Sequence, residues 1–308
     1  MSDKCILDWL LAGDPSIRWQ TLDLTGADKK RIESERRMTV KSGWAARLLS
    51  LQDPDGRWAG GLYSPKWKST TYTLLLLRDL GVPAENPGIR LACRLLLDNG
   101  FYRDGGINFS PAQKRSETCV TGMVLSILAC FGFRDDRVRQ LAGYLLMEQM
   151  PDGGWNCQRH RGAKHSSFHT TLNVLEGFLH YERLLPGGGG RIARAQAEAR
   201  EFLRAHRHYR SHRTGEIVDE RMTRFSFPPR WHYDVLRGLD YFQASGAKPD
   251  PLDRDAVELV RRKRSADGTW PLQNRHSGKT FFEMEKAGRP SRWNTLRALR
   301  VIRWYEGA

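Results

Sequence analysis

The feature that most constrains this chain is a block recurring about every fifty residues: an apolar helix, an Asp-Gly turn closing on an aromatic, a polar loop and a second helix. Two copies run from Gln52 to Trp58 and from Gln149 to Trp155, and Asp104-Gly105-Gly106-Ile107 and Asp267-Gly268-Thr269-Trp270 are further copies of the turn. A period this long means an array of supersecondary units. No copy is large enough to bury its own apolar face, so neighbours must stack and share a core.

The first forty residues read as short helices that open the array, with Asp14 as an N-cap before Pro15 at the first helical position. From Trp44 onward each unit has a first helix, such as Ala45 to Gln52 or Val138 to Gln149, that stops at a glycine suited to the left-handed geometry past a helix end. The second helices start at small polar residues: Ser69, Ser116, Ser167 and Ser291. A fourth unit, between Ala195 and Phe242, is irregular. Thr214-Gly215-Glu216-Ile217 stands where the Asp-Gly-aromatic turn belongs, and its second helix is expected near Trp231-His232-Tyr233-Asp234. The run Pro186 to Gly190 reads as a surface connection that cannot be helical. Strand-type alternation is scarce, so the chain is predicted to be one all-α domain over 1–308, with residues 1–43 opening the array and 44–308 forming the repeats.

With 40% hydrophobic residues and ten Trp, the chain has ample material for a core. No apolar run approaches the roughly 18 residues of a membrane span, and nothing near Met1 has the form of a signal peptide, so a soluble cytoplasmic protein is expected. Five scattered cysteines argue against a disulfide framework; Cys5, Cys93 and Cys130 fall on apolar faces and read as core. The net charge of +15 raises a nucleic-acid or acidic-surface reading, but the basic residues are spread through every segment and there is no basic tail, so such a partner is not favoured.

The units resemble the repeats of the terpenoid cyclase and protein prenyltransferase superfamily, whose Gln-x-x-x-Gly-x-Trp signature is matched at Gln52 to Trp58 and Gln149 to Trp155. The resemblance covers roughly Trp44 to the C-terminus. It implies an (α/α) toroid of about five to six helical hairpins around a central cavity, the inner helices pointing their N-termini at one mouth, where unpaired amides favour an anion such as a diphosphate. It also implies a zinc triad. Prenyltransferase β subunits bind zinc through an Asp-x-Cys at one inner helix start and a His at the next, and Glu117, Cys119 and His169 are similar to that set. Three such ligands leave an open position for a substrate thiol, as catalytic zinc requires. Cys157, in the loop before His169, would close the site if it also bound; His160 and His165 beside it read as exposed loop residues. Lys114 matches a family lysine that contacts the diphosphate, whereas Pro111 and Val120 stand where the family has further contacts.

The resemblance thus implies a zinc-dependent, prenyltransferase-like enzyme acting on an isoprenoid diphosphate or similar apolar anion. Lys114, Tyr72, Trp231, His232, Tyr233 and Trp293 are the expected substrate contacts, the aromatics by their π faces or by packing an isoprenoid chain. The acid motif of class II cyclases is absent, and Asp135-Asp136 and Asp253-Arg254-Asp255, which approximate it, fall on expected outer turns. A noncanonical cyclase, a lipid carrier and a zinc-stabilised polyanion binder are the alternatives. No companion subunit is implied. His206, His208 and His212, in an Arg-rich stretch from Arg204 to Arg213, read as a solvated basic edge, and Glu283 and Glu285 as members of structural salt bridges near the last inner helix.

Overall fold

A computed structural model of the chain describes residues 3–186 and 190–307. Among them, helices pair in sequence as outer and inner members of hairpins. The outer helices are α1 (Asp3–Leu11), α3 (Lys29–Arg37) continuing through a short turn into α4 (Gly43–Leu49), α6 (Pro87–Gly100), α8 (Asp136–Met147), α10 (Gly190–Ala205) and α12 (Arg254–Arg262). The inner helices are α2 (Pro15–Leu24), α5 (Thr70–Leu80), α7 (Thr118–Cys130), α9 (Phe168–Leu184), α11 (Val235–Ala244) and α13 (Arg292–Glu306). From α5 to α13 each inner helix packs on the next, α13 packs on α2, and α2 completes the ring by donating from Trp19 and Gln20 to the Leu80 and Asp79 carbonyls at the end of α5. The opening segment therefore supplies a full sixth hairpin. The only sheet among the described residues is an antiparallel pair, β1 (Trp270–Pro271) with β2 (Pro290–Ser291). No described helix is long and apolar enough to cross a membrane.

The inner helices bury residues on almost every side because the outer ring covers one face and the lumen side the other; α7 is buried at nearly every position from Thr118 to Ala129. The repeat signature explains how each hairpin is locked. Gln52 and Gln149 donate from Nε2 to the carbonyls of Gly56 and Gly153 and on to Gly88 and Ala195 of the following outer helices, at 2.8 to 3.1 Å. Gly153 adopts φ +91°, and a Cβ there would meet the Glu198 carbonyl oxygen at 2.6 Å, so only glycine fits. The buried Trp58, Trp155 and Trp270 donate Nε1–H to Leu48, Leu145 and Val260 carbonyls at 2.7 to 2.8 Å, satisfying outer-helix ends. Their own backbone N–H groups donate to Thr70, Thr171 and Thr295 in the first turns of the inner helices.

Asp14 caps α2 as expected, and Ser167 and Ser291 cap α9 and α13. Several details differ. Residues 187–189 of the glycine run lie outside the described residues, and α10 begins at Gly190. In the irregular unit the helix starts at Val235 with Asp234 as its cap, so Trp231, His232 and Tyr233 lie in the loop before it. That loop enters the ring: Phe227 stacks on Trp293 at 4.0 Å, Arg297 donates to the Ser226 carbonyl, Asn173 to that of Trp231 and Arg237 to that of His232. The lumen is thus divided by residues 225–232. His208 is not on a solvated edge but fully buried, its Nε2 2.8 Å from Asp253 Oδ1, with Arg204 on the same carboxylate. Two carboxylate contacts and a covering helix outweigh the exposure that an Arg-rich stretch suggests. Cys93 is core, Cys130 is half-buried and Cys5 is exposed, because α1 turns that edge outward. Glu285 does not make the expected salt bridge; it accepts from Ser291 Oγ and, at 2.7 Å, from the Arg292 N–H, extending the cap of α13. Glu283 does pair, with Arg275.

Candidate functional site

The starts of the inner helices open onto one face of the ring, its N-terminal mouth. A groove of about 920 Å³ lies there, lined by Arg57, Tyr63, Lys66, Phe109, Lys114 and Glu117, among others. Glu117 occupies the N-cap position of α7 without using its side chain as a cap. Its carboxyl is half-buried, and burial raises its pKa above the ordinary carboxylate range against the opposing pull of Lys66 and His160. The aromatic wall continues inward: Tyr63 stacks on Phe109, the Tyr72 hydroxyl donates to that of Tyr63 at 3.1 Å, and Tyr72 meets the edge of Trp67 at 4.8 Å. Burial raises both tyrosine pKa values, so these phenols stay neutral.

Behind Glu117 two thiols meet. The Cys157 sulfur accepts the backbone N–H of Cys119 at 3.1 Å, in the first turn of α7, and the Thr170 hydroxyl at 3.4 Å, in the first turn of α9. Two helix N-termini converge on one sulfur, a position that favours negative charge. The contact between the two thiols lowers the Cys157 pKa, while the same contact and burial raise that of Cys119. His160 and His165 are exposed, as expected.

His169 is placed on a different wall. Its Nδ1 accepts the Tyr233 backbone N–H at 2.8 Å, and its ring stands edge-on to Trp231 at 5.2 Å and to His232 at 5.7 Å. Burial, with Arg237 nearby, lowers its pKa to about 4. A neutral imidazole whose Nδ1 accepts carries its proton on Nε2, so the remaining nitrogen donates and offers no lone pair to a metal. Among the described residues no three His, Cys, Asp or Glu side chains form a group placed to hold a metal ion. As arranged, Glu117, Cys119, Cys157 and His169 do not fit a zinc centre: the thiols pair with each other and the imidazole pairs with the backbone.

Of the other expected contacts, Lys114 lies exposed on the groove rim, whereas Tyr72 is fully buried behind Tyr63 and does not line the groove. Trp231 and His232 stack at 3.8 Å, and His232 stacks in turn on His276 at 3.8 Å and 7°. Burial lowers the pKa of His232 to about 3 and of His276 to about 4, so the stack is uncharged at neutral pH. Tyr233 does not face the lumen; its hydroxyl donates to the His208 carbonyl at 2.8 Å, and its ring packs on Phe168. Trp293 lines a separate cavity of about 240 Å³ toward the helix C-termini, together with Arg78, Glu176, Arg237, Asp240 and Arg297. Sequence reasoning missed Tyr63, Lys66, Trp67, Arg230 and His276, which come from loops without the helical period. Only the aromatic and basic character of Tyr63 to Trp67, beside a repeat turn, offered a signal.

No protein-family model and no curated protein matches the chain. Among solved structures it is similar to an unsaturated glucuronyl hydrolase specific for heparin, at TM-score 0.51 and 11% identity over 95% of this chain and 84% of that one. It is similar also to a family 88 glycosyl hydrolase from Bacteroides vulgatus, at TM-score 0.51 and 10% identity over 97% and 89%. A type II terpene cyclase from Scytonema aligns over 87% of this chain and 95% of its own at TM-score 0.33 and 13% identity, too loosely to bear on the site. At such identities the likeness is one of fold, an α/α toroid, and says nothing of chemistry.

Proposed function

We propose that this chain is a transferase that binds an anionic molecule with an apolar, isoprenoid-like body at the N-terminal mouth and passes the apolar group to a nucleophile beside Glu117. The observation that carries this reading is the groove itself. One wall is aromatic, the rim bears Arg57, Lys66 and Lys114, and a carboxyl with raised affinity for protons, that of Glu117, is part of the lining. Lys66 and Lys114 hold the anionic leaving group, and Tyr63 and Phe109 pack the apolar chain. The bond from carbon to the leaving oxygen breaks with its electron pair going to the anion. The acceptor forms the new bond to carbon as its proton passes to Glu117.

Titration calorimetry with farnesyl diphosphate, followed by turnover with a small thiol acceptor, tests this. Saturable binding weakened roughly tenfold by Lys66→Ala or Lys114→Ala is expected, the scale of one lost charge-assisted contact. Glu117→Gln should bind normally and turn over at a rate lower by roughly a hundredfold. Absence of binding, or binding indifferent to both lysines, overturns the reading.

A further inference from the structure

Arg230 stands in the loop that divides the lumen, and it is unlike every other buried arginine of the ring. Only 9% of its surface is exposed, yet no hydrogen bond or ion pair reaches it from any described residue. Its backbone is held at φ +59°, a left-handed conformation that a non-glycine side chain adopts at a cost. The guanidinium lies over the Trp67 ring at 5.6 Å. Trp67 is itself anchored, donating Nε1–H to the Ser277 carbonyl at 2.7 Å and its backbone N–H to that of Lys279. The arginine is therefore strained, desolvated and oriented. Burial lowers its pKa to about 10, which leaves it charged at neutral pH.

Arg230 lines a small cavity of about 40 Å³ with Trp67, Thr73, Phe227, His276 and the segment from Thr280 to Glu285. The other charges on that wall are already engaged: Arg275 with Glu283, and Glu285 with the start of α13. His276 is neutral, its Nε2 3.2 Å from Ser226 Oγ. The carboxylate whose charge acts on Arg230, that of Asp79, is bound to Arg78. Leaving a buried guanidinium without an acceptor is costly, and folds retain such a group where something else supplies the counter-charge.

We infer that Arg230 is the recognition group of an oxyanion site in the lumen, taking a carboxylate or phosphate group small enough for the cavity. Its planar fork presents two N–H donors to two oxygens of one anion. The site is separate from the groove bearing Lys66 and Lys114, so it stands or falls without the transfer reaction proposed above.

The test is thermal unfolding of the wild type, Arg230→Met and Arg230→Lys, with sodium phosphate, sodium acetate or sodium chloride at matched ionic strength. Any anion will raise Tm somewhat by screening a chain of net charge +15, so the difference between proteins is the signal. Phosphate or acetate, whichever fits, should raise the wild-type Tm beyond chloride in a saturable way. Arg230→Lys should require roughly tenfold more of that anion. Arg230→Met should show no response beyond chloride and, without anion, should melt at or above the wild-type temperature, because it removes an uncompensated charge. A wild-type response equal in all three salts overturns the inference, as does an Arg230→Met that melts lower than wild type while keeping the oxyanion response. If the methionine variant fails to fold, the wild-type and lysine titrations decide alone.

Discussion

Toward the helix C-termini, Arg78 and Arg237 share the Glu176 carboxylate at 3.0 and 2.8 Å, whereas on the other side of the dividing loop Arg230 is comparably buried with no carboxylate in reach. The two regions use the same residue type under similar desolvation. At the C-terminal end every charge is answered: Arg78 also holds Asp79, Arg237 also donates to Asn173 and the His232 carbonyl, and Arg297 faces Asp240. At the N-terminal end Arg230, Lys66 and Lys114 have no carboxylate within ion-pair distance, and the Cys157 sulfur gathers donors from two helix starts. One end is therefore closed on itself and holds the ring together. The other holds polar capacity in reserve, which is what a binding site requires.

The largest expected effect comes from breaking the closed end. Glu176→Ala leaves two buried guanidinium groups without their shared partner and should cost about 3 to 5 kcal/mol, read from the denaturant midpoint. Glu176 is held at a pKa of about 2, below its ordinary 4.5, by Arg237 and Arg78 against the opposing effect of burial. Its stabilisation is thus complete above pH 4.5 and is lost as pH falls toward 2. A variant within 1 kcal/mol of wild type would mean that the network is not what holds the lower ring.

A smaller effect is expected from buried imidazoles at both ends, since His180 beside the closed network is also lowered by burial, to a pKa of about 3. His169, His232 and His276 take protons only near pH 4, 3 and 4 in the folded state, against an ordinary 6.5. Between about 6.5 and 4 the unfolded chain binds more protons, so stability should fall on acidification through that window, before Glu176 begins to titrate. Urea titrations at pH 7.5, 6 and 5 read the slope. His276→Phe, which preserves the stack on His232, should flatten part of it, and an unchanged slope would remove that imidazole from the account.

The smallest effect is expected at the thiols. Cys157→Ser keeps an acceptor for the Cys119 N–H and should change stability by less than about 1 kcal/mol. The orientation of His169 further predicts that His169→Ala leaves the metal content of the purified protein unchanged. Zinc that disappears with His169→Ala in elemental analysis would mean that the imidazole turns and that the sequence-based ligand set assembles after all.

The hairpins were legible where each residue's task is local. Gln52, Gly153 and Trp155 act within a turn and its neighbour, so their spacing alone announces the lock. The same logic failed in the fourth unit, where no such turn exists and the missing order is supplied over distance: His208 reaches Asp253, and Tyr233 reaches His208. Glu117, Cys119, Cys157 and Lys114 gather at one mouth, as the repeat implies, because helix starts follow from it. The repeat does not place Trp67 and Arg230, since Trp67 is anchored by Ser277 across 210 positions and no local pattern encodes that contact.

By itself, the order of residues determined the periodic part of this protein: helical hairpins, their turns, the closure of a shared core, and the side of the ring on which polar helix starts gather. Those features depend on interactions within a few turns of chain, which a one-dimensional pattern records. Tertiary structure decided which buried charges are paired, that Cys119 meets Cys157 while His169 turns to Tyr233, and that residues 225–232 divide the lumen. Those outcomes depend on desolvation and on partners brought together by ring closure, so they exist only once the chain has folded.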